Sequence, residues 1–460
     1  MSDIHIVVLA AGKGTRMKSA RPKVLHQVAG APMIEYVLDA ARRLAPATTT
    51  IVVGHGADAV RAALAGRCDA QFVVQEPQLG TGHALQQTAS LLSGRQGTLV
   101  LLSGDVPMLT LGTLERLVSH HGESGAAATL VTAVFENPVG YGRIVRADDG
   151  SIVRVVEERD ATDEERRITE INAGIYAFDI GPLFPALGRI AAANAQGEYY
   201  LPDLVGIYRS EGRTVATVPV GNGDEIRGIN SRKELAAVSR IVRQERNEAL
   251  MASGVTLEDP ATIYIGPDVE IEPDTIIHPN VHLEGKTWIG SGCEIHANVR
   301  IVDSRLEPGA VILNFCVITK SRIGAGARIG PFAHLRPDAD VREDAHVGNF
   351  VELKKTVLGA HSKANHLAYL GDATIGERVN VGAGTITCNY DGVHKYPTII
   401  EDEVFIGSDS QLVAPVRVGK GAYVAAGSSI VKDVPPGSLG IARGVQVNKE
   451  GWVAKKKAKG

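Results

Sequence analysis

The chain has few aromatic residues, few cysteines, little net charge and no long apolar run. Aromatic residues make up 5% of its 460 positions and the net charge is −4, so the composition gives no reason to expect binding to nucleic acid. Cys68, Cys293, Cys316 and Cys388 are scattered without a CxxC pair, which is typical of free thiols in a reducing compartment. No apolar run approaches the roughly 18 residues of a membrane-spanning helix. We therefore expect a cytoplasmic protein without a membrane partner.

The second half of the chain instead has a strict spacing of aliphatic residues. They stand six apart from Ile265 to Ile301, again from Val311 through Val317 to Val347, and again from Ile400 to Ile430. A period of six fits neither a helix, with about 3.6 residues per turn, nor a plain strand, with a period of about 2. It fits a short strand followed by a tight corner, repeated as a parallel β-helix with roughly ten coils of three hexads.

The first half alternates between strand-like and helix-like segments. Such alternation predicts a parallel α/β sheet with helices on both faces. The predicted strands are 4–9, 50–53, 71–74 and 98–102, and the predicted helices are 32–44 and 83–92. In these sheets ligands bind beyond the carboxyl ends of the strands, so the residues that follow each strand are the candidates for function.

The loop after the first strand, residues 9–17, contains two glycines but neither familiar nucleotide motif. The Walker spacing is absent, and Met17 stands where a dinucleotide-binding GxGxxG would need its third glycine. Small residues still let backbone N–H groups approach a phosphate, and Arg16 and Lys23 add positive charge. We interpret the loop as a phosphate loop of another kind; a plain strand-to-helix turn is the alternative.

Two further strands end in polar residues. Gln75 opens the loop 75–82 and has an amide that could pair with a base edge, although polar loops after strands are common. Asp105 follows the apolar strand that ends near Leu102, and a carboxylate at this edge of the sheet is well placed to hold Mg²⁺. Its alternative role is to cap the next helix.

These segments together resemble a known family. LAAGKGTRMKSARPKVLHQVAGAPMI, residues 9–34, looks like the signature of sugar-phosphate nucleotidylyltransferases. Together with QLGTGHA, LLSGDVP, NPVGYGRI and EINAGIY it is similar to the bacterial bifunctional N-acetylglucosamine-1-phosphate uridylyltransferases/glucosamine-1-phosphate N-acetyltransferases. Members of that family also carry a hexapeptide-repeat half, and the resemblance covers nearly the whole chain. It implies a Rossmann-like α/β nucleotidyltransferase domain, a linker helix and a left-handed parallel β-helix. The handedness comes from the resemblance and not from the spacing.

For the first domain, the resemblance implies a uridylyltransferase site. Arg16 and Lys23 would face the phosphates as catalytic residues, while Asp105 and Asn230 would share Mg²⁺. The nucleotide site would comprise Leu9, Ala10, Ala11, Gly12, Lys23, Gln75, Gly80, Thr81, Ser103, Gly104 and Asp105. The sugar would be held by Gly142, Glu157, Asn172 and Asn230.

The β-helix has one segment rich in His, Lys, Asn and Tyr, and its longest motif is AYLGDATIGERVNVGAGTITCNYDG, residues 368–392. A lone histidine on a solenoid is usually a surface residue, but His366 stands within one or two coils of other polar side chains. The resemblance makes His366 the general base for acetyl transfer, a task that suits a group titrating near neutral pH. Asn389 is a further candidate to steady the oxyanion.

The resemblance also implies the other residues of this second site. The sugar phosphate would contact Arg336, Lys354, Tyr369 and Asn380. Acetyl-CoA would contact Ala383, Asn389, Tyr390, Ser408, Ala426 and Arg443. Cys293 and His296 form a C-x-x-H, but no second pair stands at zinc-ligand spacing, so we interpret them as structural. The basic tail, 455–459, is interpreted as a solvated end, with an anion contact as the alternative.

We therefore predict a nucleotidylyltransferase domain over residues 1–230, a linker helix over 231–254 and a β-helix acetyltransferase domain with its tail over 255–460. The enzyme would acetylate glucosamine 1-phosphate from acetyl-CoA and then transfer UMP from UTP, giving UDP-N-acetylglucosamine for peptidoglycan and lipopolysaccharide synthesis. The resemblance also implies a homotrimer. The alternatives are a single-activity nucleotidylyltransferase with an oligomerising or regulatory solenoid, and a translation-factor subunit that serves as a scaffold.

Overall fold

The computed structural model describes residues 3–458, and Lys459 of the predicted basic tail lies outside them. The chain forms two compact units, the first ending at Val242 and the second beginning at Arg243. This division falls inside the long helix Arg232–Ala252. Among the helices that the structure describes, none combines the length and hydropathy needed to cross a bilayer.

The first unit is built on a nine-stranded sheet. Its strands are β1 (Ile4–Ala10), β4 (Thr48–Val53), β5 (Gln71–Val74), β6 (Thr98–Ser103), β7 (Ala128–Val134), β8 (Arg143–Arg146), β9 (Ile152–Val156), β10 (Glu170–Asp179) and β11 (Val215–Pro219). Their order in the sheet is β11-β7-β10-β6-β1-β4-β5, and β8 and β9 are attached through β10. A separate hairpin pairs β2 (Gln27–Val28) with β3 (Ala31–Pro32).

The sheet is mixed, whereas the alternation of segments predicted a parallel one. The four predicted strands β1, β4, β5 and β6 do pair in parallel. Strand β10, however, runs antiparallel to both β6 and β7. A parallel return needs a crossover of about a dozen residues or more, usually a helix. Between β7 and β10 the only α-helix is the four-residue Asp163–Arg166, so the chain re-enters the sheet in the opposite direction.

Helices cover both faces of this sheet, as the strand pattern predicted. Ile6 and Val8 pack with one apolar cluster and Val7 with the other, because alternate residues of a strand face opposite sides. The α-helices are α1 (Met33–Arg42), α2 (Ala57–Leu64), α3 (Thr81–Gln86), α4 (Ala89–Leu92), α5 (Leu111–Ser124), α6 (Asp163–Arg166), α7 (Ile180–Leu187), α8 (Leu204–Ser210) and α9 (Arg232–Ala252). Short 3-10 turns span Thr15–Met17, Lys23–Leu25, Leu201–Asp203 and Gly223–Ile226.

The second unit is a parallel β-helix with three sheets. The first sheet, sheet 1, contains β12 (Thr256–Leu257), β15 (Ile276–Ile277), β18 (Glu294–Ile295), β21 (Val311–Ile312), β24 (Arg328–Ile329), β27 (His346–Asn349), β30 (Lys363–His366), β33 (Asn380–Val381), β36 (Phe405–Ile406), β39 (Tyr423–Val424) and β41 (Leu439–Gly440). Sheet 2 contains β13 (Tyr264–Ile265), β16 (His282–Glu284), β19 (Arg300–Val302), β22 (Val317–Thr319), β25 (His334–Leu335), β28 (Glu352–Lys354), β31 (Tyr369–Gly371), β34 (Ile386–Cys388), β37 (Gln411–Val413) and β40 (Ser429–Ile430).

Sheet 3 contains β14 (Glu270–Ile271), β17 (Trp288–Ile289), β20 (Arg305–Leu306), β23 (Arg322–Ile323), β26 (Asp340–Val341), β29 (Val357–Leu358), β32 (Ala373–Ile375), β35 (Thr398–Ile400) and β38 (Val416–Val418). A last helix, α10 (Trp452–Lys457), lies in the basic tail. The aliphatic residues at the inward positions form one continuous core, in which Ile277, Ile295 and Ile312 are fully buried.

The inward positions predicted from the six-residue spacing are wrong at two residues. Val311 and Val317 were predicted to face the core, but Val311 is only half-buried and Val317 is 39% exposed. The residues that follow them, Ile312 and Ile318, are fully buried instead. A shift of one residue moves a side chain to the opposite face of a strand, so the register here differs by one.

The cause is a shortened corner. Ile301 and Leu306 are both fully buried inward residues although they stand only five positions apart. In sheet 3, Ile289 pairs with Leu306 at an offset of 17, whereas Ile271 pairs with Ile289 at an offset of 18. The β-helix therefore mixes coils of two lengths.

This register gives a stability prediction. Ile318→Ala should lower the free energy of unfolding of the β-helix by about 2–5 kcal/mol, because it opens a cavity in a close-packed core. Val317→Ala should change it by no more than about 0.5 kcal/mol, since Val317 lies on the surface. Thermal melting of the full chain with each variant checks this. A larger loss in Val317→Ala than in Ile318→Ala would show that Val317 faces the core, as the six-residue spacing predicted.

Candidate active sites

A cleft of about 450 Å³ lies at the carboxyl ends of strands β1, β5 and β6. It brings together ten of the predicted nucleotide-site residues. These are Leu9, Ala10, Ala11, Gly12, Lys23, Gln75, Gly80, Thr81, Ser103 and Asp105. The three polar loops that follow separate strands in sequence therefore form one site, as expected at this edge of an α/β sheet.

Backbone contacts hold two of the loops in place. The Gly104 N–H donates to the Leu9 carbonyl at 2.9 Å, which ties the Asp105 loop to the end of β1. Gly80 has a φ of 105°, and a Cβ there would lie 2.7 Å from the Tyr199 carbonyl oxygen. Only glycine fits both the conformation and the space at position 80.

Gln75 is buried, and its amide has a fixed orientation. Its Nε2 donates to the Gly80 carbonyl at 2.9 Å and lies 3.2 Å from His83 Nδ1. Since a carbonyl can only accept, the nitrogen of the amide must face Gly80. Gln75 Oε1 has no hydrogen-bond partner among the described residues and is left as an acceptor for a ligand N–H.

Lys23 joins the two residues that were predicted to share a metal. Its Nζ donates to Asp105 Oδ2 and, at 2.7 Å, to Asn230 Oδ1. The Asp105 and Asn230 oxygens therefore converge on one cationic group, and carboxylate and amide oxygens are ligands that suit a hard divalent cation. The capping alternative for Asp105 is not what the structure shows, because the cap of helix α5 is Thr110, whose hydroxyl accepts from the Thr113 N–H at 3.3 Å.

The predicted sugar residues lie together next to the nucleotide cleft. The Asn172 N–H donates to the Gly142 carbonyl at 2.9 Å, and a Cβ at position 142 would lie 3.2 Å from Glu157 Oε1. Ser103 Oγ contacts the Gly174 carbonyl at 3.4 Å, which links the end of β6 to the bulged part of β10 that contains Asn172.

Of the two residues predicted to be catalytic in uridylyl transfer, Lys23 lines the cleft and Arg16 does not. It lies exposed on the turn Thr15–Met17 and makes no hydrogen bond or ion pair with any residue that the structure describes. Its contact with a bound phosphate stays a prediction.

The cleft also has lining residues that the sequence did not single out for function. Glu198 belongs to an irregular segment that packs on the Gln75 loop, where the Tyr199 N–H donates to the Leu79 carbonyl at 2.8 Å. No strand or motif precedes Glu198, so the sequence offered no signal for it. The remaining ones are Lys13, Val24, Gln78 and Ala84.

Glu157 gives a pH prediction. Burial raises the pKa of this carboxyl, and the neighbouring charges of Asp160 and Asp203 raise it further. The folded state thus binds its proton more tightly than the unfolded state, so the ionised carboxylate costs stability above the raised pKa and that cost disappears as the pH falls through 4.5. Glu157→Gln should increase the free energy of unfolding at pH 8, and the gain should vanish near pH 4 (about the ordinary pKa of a glutamate).

Unfolding of ligand-free protein across this pH range measures the effect. Glu164→Gln, an exposed position in helix α6, is the matched control and should show no gain at either pH. A Glu157→Gln protein that is less stable than the wild type at pH 8 would contradict the assignment.

His366, the predicted base of the second site, is exposed at the end of strand β30. Its Nδ1 lies 2.8 Å from Asn349 Oδ1, and the two residues are register partners in adjacent coils. A neutral imidazole that donates to this amide oxygen through Nδ1 keeps its lone pair on Nε2. Asn349 was not among the predicted site residues, and only the coil offset of 17 residues connects it with His366.

Three of the predicted acetyl-CoA residues stack on His366 in one column. Each coil contributes one residue to this column. The backbone N–H of the next residue in the chain donates to the carbonyl of the column residue one coil earlier, at 2.7 to 3.3 Å. The column contains, in coil order, Asn349, His366, Ala383, Ser408 and Ala426. Arg443 lies at its end, where Nη1 donates to the Ala426 carbonyl at 2.8 Å. The column presents mostly small side chains beyond the imidazole.

The predicted phosphate residues occupy the adjoining sheet. Leu335 pairs with Leu353, so Arg336 and Lys354 stand in the same position of consecutive coils. Lys395 is a third cation at this place that the sequence did not indicate, and the neighbouring Lys354 ammonium lowers the pKa of Lys395. Three cations within reach of one another suit a phosphate dianion.

Tyr369, Asn389 and Tyr390 lie on or near the same face. Tyr369 pairs with Glu352, which accepts from Arg336 Nη1 at 2.9 Å. Asn389 is buried and donates through Nδ2 to Asp372 Oδ2, and Tyr390 is 58% exposed. A Cβ at position 371 would lie close to both the Tyr369 hydroxyl and Asn389 Nδ2, which places these two groups together.

Asn380 is separated from this group within one chain. Asn380 pairs with Lys363 in sheet 1, and Lys363 stands three residues before His366 in the chain. Its predicted contact with the sugar phosphate is therefore not formed by the stacking of the coils alone.

The chain matches known families in both units. Residues 6–170 match the MobA-like NTP transferase domain. Residues 268–303 match the bacterial transferase hexapeptide family of six repeats, and residues 397–432 match the hexapeptide repeat of succinyl-transferase. These repeats, together with the three parallel sheets, identify the β-helix as the left-handed form.

Full-length relatives are similar along the whole chain. A protein of Pelobacter propionicus named bifunctional protein GlmU is 49% identical over 459 residues, which covers 100% of both chains. Proteins with the same name from Exiguobacterium sp. and Syntrophotalea carbinolica are 49% and 51% identical over 446 and 444 residues. The alignments cover 97% and 96% of this chain and 98% and 95% of those relatives.

Proposed function

The chain belongs to the family of the bifunctional protein GlmU, and we propose residue roles for both of its transferase activities. It is a bifunctional enzyme with acetyltransferase and uridylyltransferase activity. The reaction sequence begins with acetylation of glucosamine 1-phosphate from acetyl-CoA and ends with transfer of UMP from UTP to N-acetylglucosamine 1-phosphate. The main support for this proposal is that each unit contains its own group of converging polar side chains. One group lies around Lys23 and Asp105, and the other lies around His366.

We assign residues 1–230 to uridylyl transfer, residues 231–254 to the linker helix and residues 255–460 to acetyl transfer. The cytoplasm is the proposed location, since all four cysteines are free thiols, as is usual in a reducing compartment. UDP-N-acetylglucosamine is the product that this assignment predicts for the complete reaction.

Uridylyl transfer requires little acid–base chemistry from the protein. The phosphate of N-acetylglucosamine 1-phosphate is already a nucleophile; one of its oxygens bonds to the α-phosphorus of UTP while the bond to pyrophosphate breaks. Catalysis then consists of positioning the two substrates in line and neutralising their charge. Lys23 and Arg16 supply positive charge from the protein. Gln75 Oε1 accepts from the uracil N–H, and Gly142, Glu157 and Asn172 hold the sugar.

The first site takes a divalent cation, and we propose that it is Mg²⁺ held by Asp105 and Asn230. The fit is supported by the two oxygens that converge on the Lys23 ammonium. When bound, such an ion neutralises phosphate charge and orients the triphosphate. A cation held there would compete with Lys23 for the same oxygens and would leave the ammonium free to pair with a substrate phosphate.

Acetyl transfer requires a base, and His366 Nε2 has the free lone pair for it. It takes a proton from the amino group of glucosamine 1-phosphate, whose nitrogen then bonds to the thioester carbonyl carbon. The carbon–sulfur bond breaks, and the CoA thiolate leaves and takes up a proton. Asn349 holds the ring orientation. Arg336, Lys354 and Lys395 neutralise the sugar phosphate.

The column residues in the coils after His366 leave space for the CoA chain, because Ala383, Ser408 and Ala426 have small side chains. Arg443 supplies a cation at the far end of the column. Asn389 and Tyr390 are the other proposed acetyl-CoA residues. Asn389 Nδ2 donates one N–H to Asp372, and its second N–H is the donor that we propose for the oxyanion.

We propose that the protein is a homotrimer. The support is an apolar stripe beside His366: Phe315, Phe332 and Phe350 stack at ring distances of 4.9 and 5.2 Å and are 49%, 45% and 55% exposed. Leu367, next to His366 in the chain, continues the stripe at 61% exposure. Apolar surface of this kind is normally covered, and a neighbouring copy would also close the His366 site. Asn380 could meet the substrate of a neighbouring chain in such an arrangement.

A coupled assay tests the function. The full chain is incubated with glucosamine 1-phosphate, acetyl-CoA, UTP and Mg²⁺, and we expect free CoA, pyrophosphate and UDP-N-acetylglucosamine. Pyrophosphate release from N-acetylglucosamine 1-phosphate without CoA release from glucosamine 1-phosphate would instead favour a single-activity enzyme with a regulatory solenoid. Absence of both products would favour a scaffold.

A further inference from the structure

A cluster of imidazole and carboxylate groups on the first coils of the β-helix has no part in either reaction. We propose that His278, Glu294 and His296 form a binding site for a divalent transition metal such as Zn²⁺, with Glu258 as the group that orients His278. The three proposed ligand atoms all lie within 4.8 Å of one another.

The register of sheet 1 creates this cluster. Ile276 pairs with Thr256 on one side and with Glu294 on the other. Glu258, His278 and His296 each follow the last residue of these strands, and therefore stand in the same position of three consecutive coils. The backbone ladder continues through this position, where the His278 N–H donates to the Ile295 carbonyl at 2.9 Å. The side chains are thus held by a rigid scaffold.

Two of the three distances between the proposed ligand atoms match those around a tetrahedral ion. Glu294 Oε1 lies 3.2 Å from His278 Nε2 and 3.1 Å from His296 Nε2. Ligand atoms at about 2.0–2.1 Å from zinc in a tetrahedron are separated by roughly 3.3 Å, so both contacts are close to one edge of such a site. The donor set of two imidazoles and one carboxylate is one that zinc sites use, with a fourth position open to water.

Glu258 supplies an independent indication. Its Oε2 lies 2.9 Å from His278 Nδ1, the ring nitrogen that faces away from Glu294. Histidines that bind metals almost always bond through their other ring nitrogen to a carboxylate, a carbonyl or water, which fixes the tautomer and the ring orientation. His278 thus has the carboxylate partner on one nitrogen and the proposed ligand position on the other.

The two imidazole rings must turn towards each other to bind one ion. Their centroids are 4.6 Å apart and their planes differ by 13°, so each lone pair must turn towards the other. The side chains of His278 and His296 are 22% and 26% exposed, which leaves one side of each ring open for this rotation.

The C-x-x-H pattern at Cys293 and His296 is not the site itself. Cys293 is buried, its thiol donates to the Glu307 carbonyl at 3.3 Å, and burial raises its pKa. His296 faces Glu294 and His278 instead. A bound ion would cross-link consecutive coils at the beginning of the β-helix, so the site would be structural.

Binding of Zn²⁺ to the full chain, freed of metal with a chelator, tests the proposal. Zinc is titrated in competition with a chelating dye, and thermal melting is measured with and without zinc. Co²⁺ replaces zinc for absorption spectra, because the visible bands of tetrahedral Co²⁺ are far stronger than those of octahedral Co²⁺. The variants are His296→Asn, Glu294→Gln and Glu258→Gln.

We expect the wild type to bind one zinc ion at this site, to melt at a higher temperature with zinc and to show the Co²⁺ bands. His296→Asn and Glu294→Gln should lose that bound equivalent and the bands, and Glu258→Gln should weaken binding by about 10- to 100-fold. Excess Mg²⁺ should not displace the zinc, since Mg²⁺ prefers oxygen ligands.

His361→Gln is the matched control, because His361 faces Glu343 and Asp344 in a second, fully exposed group of possible ligands. It should bind zinc like the wild type. The proposal is overturned if the wild type and His296→Asn bind zinc equally, if zinc leaves the melting temperature unchanged, or if only His361→Gln loses the ion. Melting without zinc identifies any variant that fails to fold. If a ligand variant does not fold, Glu258→Gln, which changes no ligand, tests the proposal through its weaker zinc binding.

Discussion

Asp105→Ala is expected to lower uridylyl transfer about 10²-fold or more and to leave acetyl transfer unchanged. Asp105 lies at the end of β6 in contact with Lys23, and its carboxylate is one of two oxygens that would hold the divalent cation. Its removal leaves a cation clamp worth several kcal/mol incomplete and leaves Lys23 with Asn230 alone. A 10²-fold loss corresponds to about 2.7 kcal/mol of transition-state stabilisation.

Pyrophosphate release at saturating substrates and varied Mg²⁺ measures this effect. Asp39→Ala is the matched control, since Asp39 is an exposed partner of Arg42 on helix α1 and lies on the protein surface. It should keep wild-type turnover. Near-normal turnover of Asp105→Ala at ordinary Mg²⁺ concentrations would show that Asp105 does not hold the catalytic metal ion.

His366→Ala is expected to lower acetyl transfer about 10²- to 10⁴-fold, the usual contribution of a general base, and to leave uridylyl transfer intact. The physical reason is the lone pair on Nε2, which the contact between Nδ1 and Asn349 leaves free. CoA release with glucosamine 1-phosphate and acetyl-CoA is the measurement. The loss should be smaller at high pH, where more of the amine is already unprotonated.

His361→Ala controls for the loss of a surface histidine from the same β-helix, and it should keep both activities. Asn349→Ala should lower acetyl transfer less than His366→Ala does, because it frees the ring without removing it. Equal loss of both activities in His366→Ala would point to misfolding rather than to a missing base, and full acetyl transfer would exclude His366 as the base.

The sequence predicted the sites best where one strand end or one motif carried the information. Asp105 and Gln75 were predicted because each follows a predicted strand, and the sheet then brings their loops into one cleft. Asn230 stands 125 positions after Asp105, and only the family resemblance connected them. Glu198 had no signal at all, since it reaches the cleft on an irregular segment.

In the β-helix, the kind of fold was easier to predict than its register. Aliphatic residues six apart indicate short strands and corners, but a corner that is one residue shorter looks almost the same in sequence. Leu306 is such a case, and it moves the inward position from Val311 to Ile312. Side chains that meet across coils, such as Asn349 with His366, depend on these lengths and could not be paired before the register was known.

The antiparallel strand β10 illustrates a different limit. Its inner residues Ile171, Ile175 and Phe178 are apolar and buried like those of the parallel strands, and an apolar strand core does not indicate in which direction the strand runs. The direction depends on the connection before it, which lacks a crossover helix of sufficient length.

The central claim is that one chain carries two separate reaction sites, and mixing two variants tests it most directly. Asp105→Ala and His366→Ala are supplied alone and together with glucosamine 1-phosphate, acetyl-CoA, UTP and Mg²⁺, and UDP-N-acetylglucosamine is measured. We expect little product from either variant and rapid formation in the mixture, because one variant makes the acetylated sugar phosphate that the other consumes. A mixture as inactive as each variant alone, although both proteins fold, would contradict two separate sites.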